Sequence, residues 1–204
     1  LAELVRAIGG ERVEVDSITR GKENLHAVVA RPSHLVAMSR ADLFVEVGLS
    51  LEIAFVPGLL EGARNERVKP GAPGFVNVSE SWTAIDVPTE LTRKSGDVHP
   101  QGNPHLNLDP RAGRHMAQRI HAGLVRVDPA NSQDYDAGLA AYLALLQPAE
   151  TRWSTQSAGW RGRKIVTYHQ EYNYLARATG LEIIGTIETK PGIPPTPNHI
   201  ADLI

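Results

Sequence analysis

Cysteine is missing from all 204 residues, which excludes thiolate zinc sites and a disulfide framework and leaves histidine and carboxylate as the available metal ligands. The same absence suits an oxidising compartment, where a stray thiol is a liability. No apolar run approaches the roughly 20 residues of a membrane-spanning helix. A formal net charge of -2 with scattered lysines and arginines provides no basic stripe, so a nucleic-acid partner is not expected. Internal repeats, low-complexity tracts and an HExxH motif are also lacking. What remains is 42% hydrophobic and 22% charged residues, the composition of a soluble globular protein able to build a sizeable core in more than one compact unit.

Along the chain, helical and strand patterns alternate as in an α/β fold with parallel sheets and crossover helices. The opening LAELVRAIGG is an amphipathic helix closed by Gly9 and Gly10, and it begins in mid-element, as though a leading segment had been removed. RVEVDSI (12–18) alternates like a strand, PSHLVAMSR (32–40) reads as a helix capped by Ser33, and DLFVEVG (42–48) reads as a second strand. A helix over 50–64 is expected to be interrupted at Pro57 and Gly58, and a short strand follows in GFVNVSES (74–81). The stretch from Trp82 to Gly102 carries turn signals and little periodicity. Two helical stretches then open with Asp-Pro, at Asp109 and Asp128, the second expected to bend or end at Pro148 and run on to about Gln156. RKIVTYH (163–169), EYNYLARATG (171–180), LEIIGTIE (181–188) and TPNHIADLI (196–204) repeat the strand-helix-strand-helix rhythm.

This map gives the histidines a geometry. His26 lies in the loop after the first strand pattern, His105 in the loop GNPHLNLDP stiffened by glycine and proline, and His169 at the carboxyl end of RKIVTYH. Ligands of open parallel α/β sheets gather beyond the carboxyl ends of the strands. One loop histidine is ordinarily a surface residue, but three so placed make a candidate set of zinc ligands, since Zn²⁺ takes imidazole nitrogen in tetrahedral sites. His34, His115, His121 and His199 fall within helical patterns and read as solvated or core-edge residues. His99 reads as a solvated loop residue, with an accessory ligand as the alternative. Glu23, Glu46, Glu52 and Glu171 read as solvent, capping or pairing residues.

Three ordered segments carry a family resemblance. ENLHAVVARPSHLVAMSRADLFVEVGLSLE (23–52), GNPHLNLDP (102–110) and VTYHQEYNYLARATGLEIIG (166–185) resemble the signatures of the zinc- and manganese-specific solute-binding proteins of bacterial ABC importers, the cluster with a TroA-like fold. PGIPPTPNHIADLI resembles that family's Pro-Ser-Pro segment leading into a helix. Leu25 stands where the family has proline, and His34 where it has aspartate. The resemblance implies that His26, His105 and His169 are metal ligands. It implies two lobes with parallel sheets joined by a long backbone helix: an N-terminal lobe over 1–127, a connecting helix over 128–157 and a partial C-terminal lobe over 158–204. The family's fourth ligand, an Asp or Glu about seventy residues beyond the third histidine, falls past Ile204, so a chain trimmed at both ends is expected.

The function implied is capture of a divalent ion, Zn²⁺ in preference to Mn²⁺, by a monomer that is periplasmic or lipid-anchored outside the cytoplasmic membrane and delivers the ion to an ABC permease. No enzymatic activity is expected. The alternatives are a zinc hydrolase with a three-histidine site and a metal-binding surface adhesin.

Overall fold

The computed structural model describes residues 1–19, 21, 23, 25–89, 99–188 and 194–203. Part of the turn-rich stretch before Gly102 and the Pro-Gly-Ile at 191–193 therefore lie outside the described residues. The chain divides into two compact units, one made of Leu1–Ser81 with Arg114–Leu146, the other of Trp82–Gly113 with Gln147–Ile204.

In the first unit the elements are α1 (Ala2–Gly9), α2 (Pro32–Arg40), β1 (Phe44–Glu46), α3 (Val56–Ala63) and β2 (Phe75–Asn77), followed by most of α4 (Ala112–Val127) and the first half of α5 (Ser132–Ser157). Strands β1 and β2 pair in parallel with Phe44 opposite Phe75, as a β-α-β crossover through α3 requires. Helix α3 buries Val56, Leu59, Leu60 and Ala63, an i, i+3, i+4, i+7 stripe that packs with Met38, Phe44, Phe55 and Val68 into one cluster. Asn65, 7% exposed, closes the end of α2: its Nδ2 donates to Met38 O at 2.9 Å and Ala41 O at 2.7 Å.

The second unit holds β3 (Lys164–Thr167), α6 (Asn173–Thr179), β4 (Glu182–Thr186) and α7 (Pro197–Asp202). Strands β3 and β4 are again parallel, with an irregularity between Ile165 and Val166, and α6 forms the crossover. Thr196 caps α7 by accepting from His199 N at 3.2 Å. The fold is thus α/β with two small parallel sheets and flanking helices.

Three local expectations need correction. Residues 12–18 form no ladder with another strand among the described residues; alternation supplies a strand's faces but not its partner. The N-cap of α2 is Arg31, with Pro32 in the first turn, because proline's missing N–H costs nothing there. For the same reason Pro57 opens α3 instead of interrupting a longer helix. The helix expected to carry on past Pro148 to about Gln156 does so: α5 runs through Pro148 to Ser157. Pro148 and Ala144, the residue four before it, are both exposed.

The turn after β1 in the first unit holds a run of positive-φ residues. Gly48, Leu49 and Ser50 follow one another at φ 85°, 51° and 65°. The Glu52 carboxylate holds them, accepting from Val47 N at 2.8 Å and Gly48 N at 3.1 Å. Burial pushes the Glu52 carboxyl up, and those backbone donors only partly offset it. Glu46 is raised from 4.5 to about 7, first by burial and then by the charge of Glu52.

Two outcomes are expected. Between pH 4.5 and about 7 the folded chain keeps a proton on Glu46 that the unfolded chain releases, so stability falls as pH rises through that window. Glu46→Gln removes this slope: the variant should melt above the parent at pH 8 and with it near pH 4.5, and a pH-independent difference in melting temperature would contradict the assignment. In α5, a Cβ on Gly138 would collide with the Ile8 carbonyl of α1. Gly138→Ala, which helix propensity alone would favour by about 1 kcal/mol, should instead destabilise by roughly 1–3 kcal/mol in chemical denaturation, because the obstacle is backbone.

Candidate metal centre

The loop that carries His105 begins at Gly102, whose φ of 105° and the closeness of Ile85 O and the Ala84 side chain, both 2.8 Å from where a Cβ would sit, admit only glycine. Pro104 and Leu106 on either side of His105 are fully buried, which anchors the loop by its apolar residues. His105 itself is 9% exposed, and its N–H donates to Asn103 Oδ1 at 3.0 Å. His169 follows β3 in extended backbone and its carbonyl accepts from Thr167 Oγ1 at 2.9 Å.

These two histidines, 64 residues apart, meet: Nε2 of His105 lies 3.2 Å from Nε2 of His169, with the rings edge-on at 86°. Two nitrogens each ~2.0–2.1 Å from one tetrahedral zinc would stand about 3.3 Å apart. The pair therefore already has the spacing of two ligands on one ion. On the far side of His169, Nδ1 lies 3.4 Å from Glu188 Oε2, both side chains 13% exposed. The parallel pairing extends past β4 through Ile187 N to Thr167 O at 2.8 Å and Glu188 N to Tyr168 O at 2.9 Å, which sets Glu188 beside His169. A carboxylate there favours a proton on Nδ1 and an open lone pair on Nε2, the tautomer a metal needs.

The surroundings are tied by polar contacts. Asp109, its side chain fully buried, accepts from Arg111 Nε at 2.9 Å and Nη2 at 2.6 Å and from Arg177 of α6 at 3.4 Å. Burial works to raise its carboxyl, but the Arg111 and Arg177 bonds prevail and hold it below the ordinary aspartate range. Buried Tyr174 donates to Asn103 O at 2.8 Å and accepts from Ile85 N at 3.3 Å, and burial pushes its phenol up.

The third candidate, His26, sits half-buried in a helical turn, Leu25–Ala27, of the first unit. The other histidines are engaged elsewhere: His34 Nδ1 accepts from Arg31 N at 3.2 Å, His115 Nε2 lies 3.1 Å from Glu80 O, His121 Nε2 2.7 Å from Asp136 Oδ1 and His199 Nε2 2.7 Å from Thr186 O. His99 contributes its carbonyl to Gly102 N at 3.1 Å. Sequence reasoning passed over Glu188, although it ends the strand pattern LEIIGTIE at a carboxyl end, the same signal that picked out His169. It also read Asp109 as a helix cap only; Arg111 stands two residues on, but nothing local announces Arg177.

A family model described as the periplasmic component A of the zinc-uptake complex, ZnuA, matches residues 1–204. The high-affinity zinc uptake system protein ZnuA of Bacillus subtilis (strain 168) is 24% identical over 205 residues, covering 98% of this chain and 62% of that protein. The iron ABC transporter substrate-binding lipoprotein MtsA of Streptococcus pyogenes serotype M1 is 24% identical over 209 residues, covering 100% of this chain and 64% of that protein. This chain thus spans 62–64% of the length of these curated relatives. A crystal structure of ZnuA superposes with a TM-score of 0.78 at 24% identity over 98% of this chain and 71% of that one, which shows a shared fold. These relatives are solute-binding proteins, not enzymes. No helix among the described residues is long and apolar enough to cross a membrane.

If Glu188 orients His169, Glu188→Gln should weaken zinc binding about tenfold, the usual scale for losing an outer-sphere carboxylate, with little change in melting temperature. Competition with a chromophoric chelator measures it, and an unchanged affinity would remove Glu188 from the centre.

Proposed function

The chain belongs to the ZnuA family of periplasmic zinc-uptake components, and from that premise we propose that it is the metal-capturing part of an extracytoplasmic solute-binding protein. In this reading it takes up a divalent transition metal, Zn²⁺ foremost, and hands it as cargo to an ABC permease. It works as a monomer, in the periplasm or lipid-anchored on the outer side of the cytoplasmic membrane. The observation that carries the reading is the pair of Nε2 atoms 3.2 Å apart, on buried His105 and half-buried His169, with a carboxylate behind one of the rings.

Nitrogen donors speak for zinc over manganese, since the harder ion prefers oxygen. His26, in the first of the family-like signatures, completes a three-imidazole set with His105 and His169. The organisation we propose with this function is a lobe over 1–127, a connecting helix over 128–157 and a second lobe over 158–204, although Trp82–Gly113 clusters with the second compact unit. The relatives' names include both zinc and iron, so the choice of ion rests on donor chemistry.

His105→Ala and His26→Ala should each weaken zinc binding by orders of magnitude, while His115→Ala should leave it unchanged, all three keeping a native far-UV circular dichroism spectrum. Chelator competition with Zn²⁺ and Mn²⁺ in parallel reads both affinity and preference. Equal losses at His105 and His115 would sink the reading, a neutral His26→Ala would remove His26 from the ligand set, and tighter binding of Mn²⁺ would overturn the choice of ion.

A further inference from the structure

We propose that Asn103 is the positioning residue of the metal centre, joining the two loops that carry His105 and His169 so that their Nε2 atoms meet before any ion arrives; the proposal rests on the metal-binding reading above. Asn103 is 6% exposed, and all its polar groups are bonded. Its backbone N–H donates to Ile85 O at 2.8 Å and its carbonyl accepts from Tyr174 Oη at 2.8 Å. The side chain does the joining. Oδ1 accepts from His105 N at 3.0 Å, and Nδ2 donates to Gln170 O, next to His169, at 2.7 Å. Nδ2 also donates to Asp86 Oδ2 at 3.0 Å, and that same oxygen accepts from Asn173 Nδ2 of α6 at 2.7 Å. One carboxamide thus grips the backbone beside each histidine and anchors both to Asp86.

The chemistry calls for an amide. Aspartate at 103 could still accept from His105 N, but it has no donor for Gln170 O and sets a second carboxylate against Asp86. Fixing two loops 64 residues apart in sequence costs conformational entropy, and a residue bonded to both meets that cost during folding, leaving less to be met when the ion binds. The substitution that breaks the grip is therefore nearly isosteric, and a control for its charge exists. With Asp86→Asn beside Asn103→Asp, the two side chains bond again with reversed polarity and the paired carboxylates are gone, but Gln170 O still receives no donor from residue 103.

The test uses the full chain and Zn²⁺ in two measurements. By chelator competition, Asn103→Asp should lose about 10–100-fold in affinity, the range for residues that orient ligands, and the double variant, which still lacks the donor to Gln170 O, should stay weakened. In the metal-free protein, imidazole ¹⁵N spectra should show His169→Gln shifting the His105 ring in the parent, and that cross-effect should be absent from both Asn103→Asp and the double variant. Wild-type affinity in Asn103→Asp, or a cross-effect that survives it, overturns the proposal, as does full recovery in the double variant, which would assign the loss to the paired carboxylates alone. If Asn103→Asp does not fold, the double variant takes its place: weakened binding without the cross-effect supports the proposal, and parental values overturn it. A parent that shows the cross-effect but binds no zinc would instead reject the metal reading and leave the positioning role standing.

Discussion

Bringing two imidazole nitrogens to 3.2 Å while largely removing both rings from water is costly, because each lone pair or N–H must find a partner in the protein, in another ring or in an ion. The second unit is organised around that cost. Pro104 and Leu106 sink the flanks of the His105 loop into apolar surroundings, Asn103 holds its backbone, and Glu188 meets the far nitrogen of His169. Asp109, with its arginine partners from two places in the chain, keeps the loop against α6. These contacts leave the two Nε2 atoms facing each other and suited to share an ion.

The parallel sheets explain why the polar residues collect where they do. A crossover helix returns the chain to the same end of the sheet each time, so successive strands deliver their following loops to one side. In the second unit that end carries His169 after β3 and Glu188 after β4, close enough to interact. In the first unit the corresponding loop, after β1, spends its polar residue differently. Glu52 turns inward to hold a run of positive-φ backbone, and burial makes it and Glu46 harder to ionise. Carboxylates of one chemical type thus serve as a structural clamp in one sheet and as the partner of a histidine in the other, according to what each strand end faces.

Much of this architecture is local and was legible in the residues. The span 32–40 is helical from end to end, and the apolar stripe Val56, Leu59, Leu60, Ala63 is helical by its spacing alone. The α/β alternation and the parallel sense of the sheets follow from short strands separated by helices. Where local reading failed, at 12–18, the deciding factor was the surroundings, because a strand needs a partner.

By itself the sequence determined most of the element types, the order of the loops and the candidacy of His26, His105 and His169, because residue type, periodicity and turn chemistry act over a few neighbours. The family resemblance rested on motifs of the same short range. Only the tertiary structure decided that His105 and His169 share a point, that Glu188 stands behind one of them and that Asn103 binds the backbone beside both. Such pairings join segments up to 67 residues apart, and no local pattern encodes them. They are chosen by which packed arrangement satisfies every buried polar group at once.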